Sequence, residues 1–275
     1  MNELGRRLWA DRAGRAGALI LLCLVVAVVV LPWVLPDYRA QPDISHGGQP
    51  PGARHLLGTD HLSRDVLSRV VTGGQISLLV AAGAVAMSVT LGTLVGLVAG
   101  YAGGWVDAAL MRLVDATLAV PRLFLLLLLV AALEHIPLSV LIVSIGATGW
   151  LGTSRLVRAE VLRLKTLDFT RGAVALGAAP ARIIFHHLLP NVTGPLAVAT
   201  TLAVGDVILL EAGLSFLGLG VQPPTPSWGG MILDAKPYIV SAPWSSLAPG
   251  AAIVLTVLAV NLVGDALSQA QAEGG

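Results

Sequence analysis

The sequence predicts an all-α integral membrane protein of about six transmembrane helices, with a short helix pair on its cytoplasmic side. Three observations point there. Of 275 residues, 55% are hydrophobic and 12% charged, with a mean hydropathy of +0.81. A soluble domain carries about 25% charged residues, so much of this surface must face something other than water. Apolar runs close to bilayer length recur along the chain, and basic residues gather in alternate segments between them.

The first run, 16–35, follows Arg6, Arg7, Arg12 and Arg15 and ends Pro-Trp-Val-Leu-Pro. A signal peptide has an apolar core of only about 7–15 residues and a small-residue cleavage site. This run therefore reads as an uncleaved anchor with a cytoplasmic N-terminus. Further runs at 76–99, 119–133, 138–151, 192–217 and 247–267 complete the six, the third extending backwards through 105–118. The division that follows is a cytoplasmic segment 1–15, a first span 16–36, an extracytoplasmic loop 37–75, a transmembrane domain 76–267 and a cytoplasmic tail 268–275. Twelve basic residues then fall inside, among them Arg112, Arg122, Arg155, Arg158, Arg163 and Lys165, and five outside: Arg39, Arg54, Arg64, Arg69 and Lys236. That is the asymmetry of the positive-inside rule.

Gly92, Gly96 and Gly100 recur at helical spacing on one face of the second span. Such a face admits a close helix neighbour, in the same chain or in a partner. The segment 221–230, with Pro223, Pro224 and Pro226, cannot continue a helix and must leave the membrane core. The single cysteine, Cys23, sits in an apolar run as a small apolar side chain and leaves no internal disulfide.

Catalytic chemistry has little support. No G-x-x-x-x-G-K-S/T loop is present, so any ATP is bound by another chain. His186 and His187 are adjacent, which on a helix points them about 100° apart and unable to grip one metal together. No nucleophile elbow surrounds Ser63, Ser154 or Ser215. The expectation is a protein that is not by itself an enzyme and holds no cofactor or metal.

The most informative stretch is 166–190. Gly177 suits a left-handed helix stop. Pro180 suits the first position of a following helix, and Leu189-Pro190 is expected to end that helix before the fifth span. Helix, small-residue turn and helix make a knob whose backbone a partner's groove can approach, with Arg171 and Arg182 at its rim.

This segment resembles the coupling-loop signature of binding-protein-dependent ABC importer permeases, E-A-A-x3-G-x9-I-x-L-P. Ala173, Gly177, Leu189 and Pro190 match it, while Arg171-Gly172 replace Glu-Ala and His187 replaces Ile. Four further blocks in order are similar to the dipeptide/oligopeptide/nickel branch and its C-type permease subunit. They are Leu57-Gly58-Thr59-Asp60 with Arg64-Asp65-Val66 and Ser68-Arg69; Gly103-Gly104-Trp105-Val106-Asp107 with Met111-Arg112 and Asp115; Glu211-Ala212-Gly213-Leu214-Ser215-Phe216 with Pro223-Pro224 and Ser227-Trp228-Gly229; and Pro249-Gly250 with Asn261-Leu262-Val263-Gly264-Asp265. Ser63 stands where the branch usually has Gly.

The resemblance implies a type I ABC importer permease in a bacterial cytoplasmic (inner) membrane, with both termini cytoplasmic. It would pair with a homologous second permease, two ATPase subunits that bind ATP and Mg2+, and an extracytoplasmic solute-binding protein, in contact with membrane lipid and with no nucleic acid. It assigns Arg171, Gly172, Ala173, Leu176, Gly177, Ala178, Pro180, Arg182, Leu189 and Pro190 to ATPase coupling. Asp206 and Glu211, charges inside the fifth span, are candidates for the substrate pathway; Glu211 has the alternative of bonding a neighbouring helix. Loops 37–75 and 221–230 are expected to meet the binding protein. Cargo is read as di- or oligopeptide, with nickel or another small solute as the alternative, and an ATP-independent channel or carrier as the rival in a different class.

Overall fold

The computed structural model describes residues 9–35, 37, 47–132 and 136–272. Arg6, Arg7, Arg39 and the end of the tail lie outside the described residues. Among the described residues every regular element is a helix, apart from one isolated bridge between Thr59 and Asp65.

Helix α1, Arg12–Val30, begins four residues before the apolar run because Asp11 accepts a hydrogen bond from the Gly14 N–H at 2.6 Å. Gly17 lets it lie against the last helix: a Cβ there would stand 2.7 Å from the Ala259 carbonyl oxygen. Helix α2, Val66–Ala102, begins ahead of the apolar run at 76–99. Asp65 caps the helix by accepting from the Ser68 N–H at 2.8 Å, so it starts ten residues earlier than the apolar run. Its 37 residues span about 55 Å, well beyond a bilayer core of about 30 Å.

Helices α3, Gly104–Leu118, and α4, Arg122–Ala131, are the expected third span, but they meet at 79°. Pro121 supplies no N–H and disfavours helix at Val120, so the helix breaks between them. The sequence reads as one span here; the structure bends it sharply. Arg122 bonds to α5, Leu138–Lys165, at Ile145, twenty residues or about 30 Å along that helix from Lys165.

Helix α5 packs against α2 along the glycine face. Added Cβ atoms at Gly92 and Gly96 would come within 2.5 Å of Thr153 Cβ and 2.6 Å of the Ser154 carbonyl oxygen, and one at Gly100 within 2.8 Å of Val161 Cβ. The glycine stripe thus joins two helices of this chain. Gly96→Leu is expected to cost about 1–3 kcal/mol, read as lowered thermal stability of the purified chain. Gly152→Ala, where a Cβ meets nothing within 4 Å, serves as the neutral comparison.

After the short α6, Asp168–Ala175, a single long helix α7 runs Pro180–Phe216. Here the expectation that Leu189-Pro190 ends a helix is corrected. Residues Ile183–Leu188 adopt wider π-helical bonding, with the Leu189 N–H donating to the Ile184 carbonyl. The looser turn makes room for the Pro190 ring, and the Asn191 side-chain amide donates to the His187 carbonyl at 2.7 Å. The chain then turns through the proline-rich segment to α8, Trp228–Ala235, and α9, Trp244–Ala272.

Two apolar clusters hold the bundle. In the larger, Val80, Leu126, Ile145, Ile208, Leu214 and Trp228 bring α2, α4, α5, α7 and α8 together. In the second, Leu97, Val157, Val161, Leu164, Ile183 and Leu188 join α2, α5 and the start of α7. That second cluster is the floor on which the α6–α7 turn stands.

Candidate cytoplasmic docking turn and membrane charges

Helix α6 ends in a Schellman motif. Gly177 is left-handed at φ +78°, its N–H donates to the Val174 carbonyl at 2.9 Å, and the Ala178 N–H donates to the Ala173 carbonyl at 3.0 Å. Ala179 is extended and Pro180 opens α7, as the two residues suggest locally. Thr170, Ile183 and Leu188 are buried beneath, so the turn is anchored at its base.

Its outer surface is bare. Arg171, Gly172, Gly177, Pro180 and Arg182 are exposed, Ala173 and Ala178 half-buried. Leu176 is 91% exposed at the tip. Leu189 is half-buried and Pro190 exposed, both now inside α7 rather than beyond its end. A Cβ at Gly172 or Gly177 would meet nothing within 4 Å, so no side chain of the described residues requires those glycines to be small. An apolar tip and bare backbone on a rigid floor suit contact with another protein.

Polar ties brace this side. Lys165 reaches back to the end of α2, its Nζ donating to the Gly100 and Tyr101 carbonyls at 3.2 and 2.8 Å, which satisfies acceptors that a helix C-terminus leaves open. Arg158 holds Asp107 with its Nη2 at 2.6 Å, and Arg155 holds Asp115, so α3 is tied to α5 by two ion pairs. Sequence reading treated these residues only as inside charges and motif matches; their pairing across 51 and 40 residues has no local signal.

The two acidic residues of the fifth span part company. Glu211 is 1% exposed, and its carboxylate accepts from Ser77 Oγ at 3.0 Å and Ser215 Oγ at 2.7 Å. Ser77 Oγ in turn accepts from the Trp228 N–H at 3.2 Å, while Ser215 Oγ accepts from Ser227 Oγ at 3.3 Å. Glu211 is thus the centre of a buried network that ties α2, α7 and α8 together, the helix-bonding alternative for this residue. Asp206, by contrast, is exposed between buried Gly205 and Val207. Arg122 of α4 lies within electrostatic reach of it, a pairing with no local signal in the sequence.

On the opposite side, Asp60 organises the loop before α2. Its carboxylate accepts from the Leu62 and Arg64 N–H groups, from Arg64 Nε at 2.7 Å and from Arg69 Nη1 at 2.7 Å. Arg69 Nη2 continues to Asp234 of α8 at 2.9 Å, and Trp244 Nε1 donates to the Thr59 carbonyl at 2.9 Å. The motif residues of this block therefore clamp the loop before α2 onto α8 and α9. Burial raises the Asp60 carboxyl, but the Arg64 N–H and the Arg64 and Arg69 guanidiniums outweigh it and hold it below the usual carboxylate range. The stabilisation is therefore complete above the ordinary Asp value of about 3.9 and is lost as pH falls through the lower folded value. Melting temperature is expected to hold from neutral pH down to about pH 4 and fall below it; Asp60→Asn should lower the plateau and flatten that acid limb.

Residues 92–273 match the family model described as binding-protein-dependent transport system inner membrane component. The dipeptide transport system permease protein DppC of Alkalihalophilus pseudofirmus is 38% identical over 273 residues, covering 98% of this chain and 88% of the relative. The oligopeptide transport system permease protein OppC of Haemophilus influenzae is 36% identical over 280 residues, covering 98% and 90%. With a family match across the bundle and relatives of near-equal length, this chain belongs to the binding-protein-dependent transport system inner membrane components, a family of transport permeases.

Proposed function

We propose that this chain is one permease half of an ATP-driven importer for di- or oligopeptides, transmitting the work of separate ATPase subunits through the turn at Gly177. The observation that carries the reading is the exposed Leu176–Gly177 tip on a buried apolar floor. In this reading Arg171, Gly172, Ala173, Leu176, Gly177, Ala178, Pro180 and Arg182 sit in a cleft of one ATPase, which binds ATP and Mg2+. Leu189 and Pro190, inside α7, carry the movement along it. A homologous permease completes the pathway, a solute-binding protein docks on the clamped outer loop, and both termini are cytoplasmic. The peptide cargo follows the relatives' names.

Because α7 is continuous from the turn through the membrane, a displacement at Gly177 reaches Asp206 along a rigid element, which is the mechanical requirement for coupling two sites. The broken α3–α4 helix favours a second reading, an ATP-independent carrier, since carriers build sites at such breaks. Affinity purification of the tagged chain from its native membrane in mild detergent separates the two. Recovery of a second permease and ATPase subunits in near-stoichiometric amounts supports the importer. A chain that purifies alone and moves solute in liposomes without ATP supports the carrier.

A further inference from the structure

Beyond the break between α3 and α4, Arg122 lies within electrostatic reach of Asp206, and both are charges that membrane burial disfavours. Ile145, which accepts a hydrogen bond from Arg122 Nη2 at 2.8 Å, lies seven residues into α5, about 10 Å from its start. Asp206 lies ten residues before Phe216, about 15 Å from the same side of the bundle. Both charges therefore sit at depths within a bilayer core of about 30 Å.

Arg122 has a prepared seat. Besides Ile145 it donates from Nε to Thr148 Oγ1 at 3.3 Å, and it lies across Gly149, where a Cβ would come 2.9 Å from Nη2. Those two bonds leave the guanidinium with N–H donors in hand. Asp206 faces outward from α7, and no described residue bonds directly to its carboxylate. Its neighbours Val207 and Ile208 share one apolar cluster with Leu126 and Ile145, which brings Arg122 near it without a direct ion pair. A carboxylate facing lipid at this depth costs about 2.5–3.5 kcal/mol or more, so this face belongs to a water-filled pathway. Opposite charges set apart, each with unused bonding capacity, match a small molecule that carries both charges itself.

We propose that Arg122 and Asp206 form a binding site for the zwitterionic backbone of a short peptide, Asp206 taking its α-ammonium group and Arg122 its carboxylate. The pairing uses charge-assisted hydrogen bonds at both ends, and the helix break lets Arg122 reach the pathway from a membrane-buried element. The proposal rests on the importer reading above and names the chemistry of its cargo site.

The test uses the full importer, with its second permease, ATPases and binding protein, in proteoliposomes. In a Cys23→Ser chain, Asp206→Cys is expected to react with a membrane-impermeant cationic thiol reagent, and saturating dipeptide is expected to slow that reaction about tenfold or more. Asp206→Asn and Arg122→Gln are each expected to lower dipeptide uptake about tenfold or more while the complex still assembles; Asp206→Glu should retain most uptake. Position 206 that stays unlabelled, labelling indifferent to dipeptide, or both neutral variants transporting within about twofold of wild type overturns the site. If the wild-type complex moves no dipeptide, the importer reading fails instead, and labelling still reports whether position 206 faces water.

Discussion

Replacing Leu176 by Asp is expected to leave this chain folded and to reduce its recovery of ATPase subunits at least tenfold. The side chain is 91% exposed, so its loss removes no packing within the chain. Burying a leucine in a partner's groove is worth about 1.5–3 kcal/mol, a factor of about 10–100 in affinity. An aspartate in the same groove adds the cost of burying a charge. Gly177 separates the shape of the turn from its clearance. Gly177→Asn keeps a residue that tolerates the left-handed conformation but adds a side chain; Gly177→Val strains the turn by about 1–2 kcal/mol as well. If a partner closes on the bare backbone, both variants lose ATPase subunits and ATP-driven transport. If only the turn matters, Gly177→Asn behaves as wild type. Co-purification yield and the melting temperature of the chain alone, measured side by side, distinguish lost docking from lost folding.

Glu211→Ala is expected to have the largest effect on stability. It removes the acceptor for both Ser77 and Ser215, leaving buried hydroxyls unsatisfied at about 1–3 kcal/mol each, and opens a cavity among Leu214, Ile208 and Trp228. A total near 4 kcal/mol corresponds to a fall in melting temperature of about 10 °C for a chain of this size. Glu211→Gln keeps one carbonyl oxygen and the side-chain volume, and should lose less than half as much. A Glu211→Ala chain as stable as wild type would show that the network contributes little. Loss of transport in Glu211→Gln with stability retained would return Glu211 to the pathway.

The turn was legible because its signals are local. Gly177 and Pro180 each need only their neighbours to specify a left-handed stop and a helix start, and both do so. Spans were legible from apolar runs, but their ends were not. Asp65 starts α2 ten residues outside its run, because a side-chain cap continues a helix into polar sequence. Pro190 read as a stop, yet π-helical bonding and the Asn191 side chain carry α7 through it. Arg122 read only as one charge of an inside segment; its bond to Ile145, made from beyond the break between α3 and α4, has no local signal. The Glu211 network was half-visible. A neighbouring helix was foreseen as its partner, but Ser77 lies 134 residues away and nothing in the sequence singles it out. Likewise the glycine stripe announced a close helix neighbour, and only the fold shows that α5 of the same chain fills it.

The central claim, that ATP hydrolysis elsewhere moves this chain through its cytoplasmic turn, is tested most directly by solute uptake into proteoliposomes. This chain would be reconstituted with its partner permease, ATPases and binding protein, and uptake of a labelled dipeptide followed. The account predicts uptake that requires ATP and every subunit, and that Leu176→Asp abolishes while the permease pair still assembles. Uptake by this chain alone without ATP, or full uptake with Leu176→Asp, would contradict it.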